Sequence, residues 1–142
     1  MRTFHAAALA SIALLCACSK DKAPAPVATA SASQPAGLAE MPEWMRGRWG
    51  LVLADCTSTK GDAKGLLTIG ATTLTYYESR GTLRAPGEGD AAQIRATFDF
   101  TGEGSTWTRE MSFEIQSGGT VLLSNEYGDG AAPKPLIYSR CR

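Results

Sequence analysis

The stretch from Met41 to Arg142 predicts an all-β domain, a small antiparallel up-and-down β-barrel of about eight strands. Three observations lead there. Ile94, Ala96, Phe98 and Phe100 alternate with Arg95, Thr97, Asp99 and Thr101, the two-residue period of a strand with one buried face. After Gly102-Glu103-Gly104 the pattern recurs, with Trp107, Met111, Phe113 and Ile115 facing one way and Thr108, Glu110, Ser112 and Glu114 the other. Short glycine-bearing turns separate the remaining apolar runs, and a sheet of consecutive strands removes its exposed edges by closing on itself.

Taken in order, Pro42-Glu43-Trp44-Met45-Arg46 before Gly47 reads as one helical turn, with Pro at its start and Gly at its stop. Trp49 to Cys56 alternates, with Trp49, Leu51 and Leu53 on one face, and is expected as the first strand. Thr57 to Gly65 is a polar loop. Leu66 to Ile69 and Thr72 to Glu78 follow as strands joined through Gly70-Ala71, a short-hairpin signal. Gly81 to Arg84 is a short or bulged strand, and Pro86-Gly87-Glu88-Gly89-Asp90 is expected as a turn cluster. Beyond the two alternating strands, Gly118-Gly119 turns the chain into Thr120 to Asn125. A Gly/Pro loop then leads to Leu136 to Cys141, the last strand.

The first residues fix compartment. Arg2 precedes an apolar run from Phe4 to Leu15, the layout of a secretory signal, and that run falls short of the roughly 20 residues a membrane-crossing helix needs. Leu15-Cys16-Ala17-Cys18 resembles the lipobox of bacterial lipoproteins, in which an aliphatic residue, a small or apolar residue and a small residue precede the acceptor cysteine. The resemblance implies a diacylglyceryl thioether on Cys18, cleavage after Ala17 and acylation of the new amino terminus. It divides the chain into a signal peptide (1–17), a lipidated Cys with an Ala/Pro/Ser linker (18–40) and the domain (41–142). In that family an Asp after the acceptor retains many members in the inner membrane; Ser19 here implies the periplasmic face of the outer membrane. The other reading is a soluble secreted protein with an ordinary signal.

With the signal removed, His5, the single histidine of the sequence, is gone. Without imidazole there is no Ser-His-Asp or Cys-His arrangement and no histidine-based zinc site. Acidic and basic side chains nearly balance, 14 each in the whole sequence, so nothing suggests electrostatic capture of nucleic acid. Cys16 leaves with the signal and Cys18 is acylated, so Cys56 and Cys141 remain, and in an oxidising compartment they are expected to pair. That bridge would tie the first strand to the last residues and contribute on the order of 2–4 kcal/mol. A redox-active pair is the alternative, disfavoured by the absence of Cys-x-x-Cys spacing. The linker is poor in bulky apolar residues and is expected to be disordered, reaching roughly 30 Å as a coil and about 70 Å if extended.

Gly47-Arg48-Trp49 after a helical turn resembles the start of the first strand in lipocalins, with their Gly-x-Trp signature. The resemblance implies that Trp49 plugs one barrel end and that a late arginine, Arg140 or Arg142, packs across it. The same start, followed by a cysteine, also resembles small periplasmic barrel inhibitors of secreted bacterial metalloproteases, which implies a role for residues before Trp44.

Arg109 shares strand parity with Trp107, Met111 and Phe113, which turns a guanidinium inward, where it must be paired or sit at an open rim. Glu78 shares parity with Leu74 and Tyr76 and is a candidate partner. Tyr76, Glu78, Trp107 and Arg109 are therefore the candidate ligand-binding residues, a polar spot among aromatics in a barrel mouth; the alternatives are an internal ion pair or a bulge that turns Arg109 outward. Lys60-Gly61-Asp62-Ala63-Lys64-Gly65 lacks the spacing of a phosphate loop, and Glu88-Gly89-Asp90 lacks that of a calcium loop. No enzyme, metal or cofactor is read from these residues. The expected function is a lipid-anchored barrel that binds a small apolar ligand or an envelope partner. An inhibitor of a secreted enzyme and a structural accessory subunit are the alternatives. An open-ended apolar cavity favours the first; a closed core with an exposed apolar loop patch favours the others.

Overall fold

The alternating segments form strands, and the intervening glycines turn them. A computed structural model describes residues 37–142; the signal peptide, Cys18 and the linker up to Ala36 lie outside the described residues. The strands are β1 (Gly47–Gly50), β2 (Leu66–Ile69), β3 (Thr73–Thr75), β4 (Ser79–Gly89), β5 (Gln93–Gly102), β6 (Ser105–Gln116), β7 (Val121–Tyr127) and β8 (Leu136–Arg140). Each pairs antiparallel with the next, and β1 pairs with β8, so the sheet is a closed eight-stranded barrel. Ile94, Ala96, Phe98 and Phe100 are buried, as are Met111 and Phe113, which places the inner faces of β5 and β6 as their alternation predicts.

Trp49 closes one pole. Its indole is fully buried and donates from Nε1 to the Met45 carbonyl at 3.0 Å. Met45 belongs to a single 3-10 turn, Glu43–Met45, that lies where the helical turn was expected. Of the two late arginines it is Arg140 that packs across the indole, its Cζ 4.1 Å from the ring centroid. The guanidinium also donates to the carbonyls of Gly119 (2.8 Å), Arg46 (3.1 Å) and Trp44 (2.5 Å). Before Met41 the chain is already part of the domain: Leu38 pairs with Gly87 of β4, and Met41 N donates to the Ala71 carbonyl.

Two expectations about elements need correction. The alternation from Trp49 to Cys56 is not one strand. β1 stops at Gly50 and a short helix, α1 (Leu53–Thr57), follows. Asp55 makes this turn: its carboxylate accepts the Val52 N–H at 3.0 Å and the Gly65 N–H at 3.1 Å, a side-chain alternative to ladder pairing. Leu51 and Leu53 are consequently exposed. Nor do Pro86–Gly89 turn the chain. They belong to β4, which absorbs a register shift between Arg84 and Glu88, and Gly87 is needed for close approach, since a Cβ there would sit 2.8 Å from that of Ala96. The turn itself falls at 90–92.

Cys56 and Cys141 form a disulfide, with Cα atoms 5.2 Å apart. It joins α1, rather than the first strand, to the residue after β8. It lies beside the seam where β1 and β8 meet, through the pairs Trp49↔Arg140 and Gly50↔Ser139.

Candidate functional site

Strands that run alternately up and down gather the ends of β3, β5 and β7 and the starts of β4 and β6 at the pole opposite Trp49. A pocket of about 450 Å³ opens there, lined by Lys64, Tyr76, Tyr77, Glu78, Ser79, Phe100, Trp107, Arg109 and Glu126. All four residues singled out in the sequence, Tyr76, Glu78, Trp107 and Arg109, line this one mouth. Below it the barrel is filled, with Phe98, Phe113, Leu74, Leu67 and Met111 essentially without exposure. The cavity is a cup at the rim and not a shaft through the barrel.

One wall of the cup is aromatic. Phe113 meets Phe98 edge to face at 6.0 Å, Phe98 is 6.4 Å from Phe100, and Phe100 stacks on Trp107 at 5.3 Å with the planes 6° apart. Tyr76 also meets Phe100, with ring centroids 6.0 Å apart. The inward parities of β5 and β6 build this row, which climbs from the core and ends at Trp107, 38% exposed.

Another part of the lining is ionic. Arg109 is half-buried and turned inward, and its Nη1 donates to the Asp129 carbonyl at 2.7 Å and the Tyr127 carbonyl at 3.4 Å. Its charge partner is Glu126, Oε2 to Nε 3.8 Å, and not Glu78, which stays exposed in the turn between β3 and β4. The correction has a simple cause. β3 ends at Thr75, so Tyr76–Glu78 form a rim turn, whereas β7 runs on to Tyr127 and its parity from Leu122 and Ser124 carries Glu126 inward. That parity was legible in the sequence; ending the strand at Asn125 hid it. Lys64, read only as part of a solvated loop, reaches over the Tyr77 ring at 5.6 Å.

The Tyr76 hydroxyl is held well above the ordinary phenol range, first by burial and then by the neighbouring Tyr138 and Glu126. Tyr138 is pushed up to about 12, again first by burial, with Glu126 and Asp55 adding. Both phenols therefore keep their protons throughout the physiological range and are hydrogen-bond donors as well as acceptors. Among the described residues no group of three or more His, Cys, Asp or Glu side chains is placed to hold a metal.

A second surface stands apart from the mouth. Val52 is 60% exposed and Leu53 80%, and Ile137 on the outer face of β8 is 62% exposed. Val52 and Leu53 border a groove of about 350 Å³ shared with the disulfide and Arg142. No protein-family model matches this chain, and neither a curated protein nor a solved structure does.

Proposed function

We propose that this chain is an outer-membrane lipoprotein, anchored through Cys18, that presents its barrel in the periplasm as a binding module and takes a small ligand in the mouth. One observation carries the reading: Tyr76, Glu78, Trp107 and Arg109 converge on a single open cup of about 450 Å³, within the size range of small-molecule sites. The Trp49–Arg140 closure at the other pole supports the lipocalin-like reading of the barrel. Because the interior beneath the cup is packed, the ligand is held at the rim rather than engulfed. The role is binding, not catalysis. Native mass spectrometry of the full-length protein, purified gently from its own envelope, tests this. A small-molecule adduct supports it; a preparation carrying only the lipid on Cys18, or a bound protein, overturns it.

The packed barrel interior together with the exposed Val52-Leu53 patch is the pattern expected of a protein-binding barrel, and it favours a second reading, a protein partner docked beside the disulfide, as for an inhibitor of a secreted enzyme or an accessory subunit of an envelope complex. Under this reading Leu53→Asp abolishes partner co-purification while leaving the small-molecule adduct intact.

A further inference from the structure

We infer that the ligand of the mouth carries a flat conjugated ring that stacks on Trp107 and an uncharged hydrogen-bonding group that reaches Tyr76 and Glu126. This rests on the mouth being a ligand site, and it names the class of ligand.

The ring follows from the aromatic row. Phe98, Phe100 and Trp107 are spaced at 6.4 and 5.3 Å, and the last pair is nearly parallel, so a ring on the far side of Trp107 is the next member of the series. Such pairs are favourable beyond area burial when their centroids lie about 4.5–7 Å apart. A long acyl chain fits poorly, since it would have to thread inward past Phe98 and Met111, which leave no exposed surface to line a channel.

The absence of net charge follows from the polar wall. Lys64, Arg109, Glu78 and Glu126 all line the cup, so the signs balance. Arg109 is already committed to Glu126 and to two backbone carbonyls. A net charge on the ligand would upset that balance and carry its own desolvation cost into the cup. An uncharged donor and acceptor meets instead the protonated phenol of Tyr76 and the carboxylate of Glu126, which both line the cup.

The test uses the whole mature chain with Cys18→Ser, so that no lipid competes for the probe, titrated by calorimetry. The probes are 2-naphthol, unsubstituted naphthalene, 2-naphthalenesulfonate, a naphthylmethylammonium salt and decanol. The expected result is saturable 2-naphthol binding, at least about tenfold tighter than either charged ring or decanol, with Trp107→Leu costing about tenfold. Tyr76→Phe is expected to erase the preference for 2-naphthol over naphthalene while keeping the stacking. It also serves as the second variant should Trp107→Leu fold poorly. Equal or tighter binding of decanol or of a charged ring overturns the ligand class and leaves the mouth as a binding site. Unchanged 2-naphthol affinity in Trp107→Leu places the ring elsewhere and overturns the inference. Saturation by none of these probes overturns the inference and the binding role of the mouth together.

Discussion

Replacing Arg140 by Ala should open the closed pole. Its guanidinium lies 4.1 Å from the centroid of Trp49, and a cation over a desolvated indole contributes about 1–2 kcal/mol. Its bonds to the carbonyls of Gly119, Arg46 and Trp44 come from a charged donor, but the side chain is half open to water, so each adds only about 0.5–1 kcal/mol. The expected loss is therefore about 3–4 kcal/mol, a large share of the 5–15 kcal/mol typical of a small domain, with a melting temperature lower by roughly 20 °C. Urea unfolding followed by tryptophan emission measures it, the midpoint falling with the slope unchanged. Arg140→Lys keeps the charge but loses the planar stack and the forked donors, so it should recover less than half of the loss. A loss below about 1 kcal/mol for the Ala variant, the range of an ordinary surface contact, would show that Arg140 merely rests on Trp49 and does not close the barrel.

The double substitution Cys56→Ala with Cys141→Ala should lower stability by about 2–4 kcal/mol through the 85-residue separation it releases, and alkylation of the native protein without reductant should label neither thiol. Gly81→Val should cost about 1–3 kcal/mol by overpacking, because a Cβ at that position lies 2.9 Å from the Phe100 ring; urea midpoints read the cost, and an unchanged midpoint would mean the ring moves aside freely. Tyr76 and Tyr138 hold their protons more tightly in the fold than in the unfolded chain, where phenols titrate near pH 10. Their contribution is thus complete below that pH and is lost at higher pH, for Tyr138 as pH rises through about 12, with Tyr76 shifted in the same direction. An alkaline titration of tyrosinate absorbance should show a late fraction that appears together with unfolding. Tyrosinate forming entirely near pH 10 in a folded protein would contradict it.

The strands of the middle of the chain were legible because one physical effect acted alone there. Through Ile94–Phe100 and Met111–Ile115 each inward residue is apolar or aromatic and each outward one polar, so burial sets a clean two-residue period there. Trp49, Leu51 and Leu53 show the same period, yet the strand ends at Gly50, because the Asp55 carboxylate captures the N–H groups of Val52 and Gly65. A contact between residues ten apart leaves no mark in a pattern of alternation. The glycines of 87–89 were equally ambiguous: the residue that permits a turn is also the one that lets a neighbouring strand come close, and here the second need is the operative one. In the mouth, strand parity placed Trp107 and Arg109, whereas Tyr76 sits one residue past the end of β3 in the rim turn. The choice of Glu126 over Glu78 depended on where β3 and β7 stop, and strand ends are decided by loop contacts rather than by periodicity. Ser112 faces outward as its parity requires, but it is buried all the same, bonded to the Tyr127 hydroxyl at 3.0 Å.

Both ends of the barrel chain meet at one pole. Leu38 joins the β4 edge at Gly87, Met41 bonds to the turn between β2 and β3, and β8 runs down to Arg140 beside Trp49. Leu38 is therefore held at the sealed base, and the cup opens at the opposite pole. A pull on either end of the described chain would load the base first and leave the rim undisturbed.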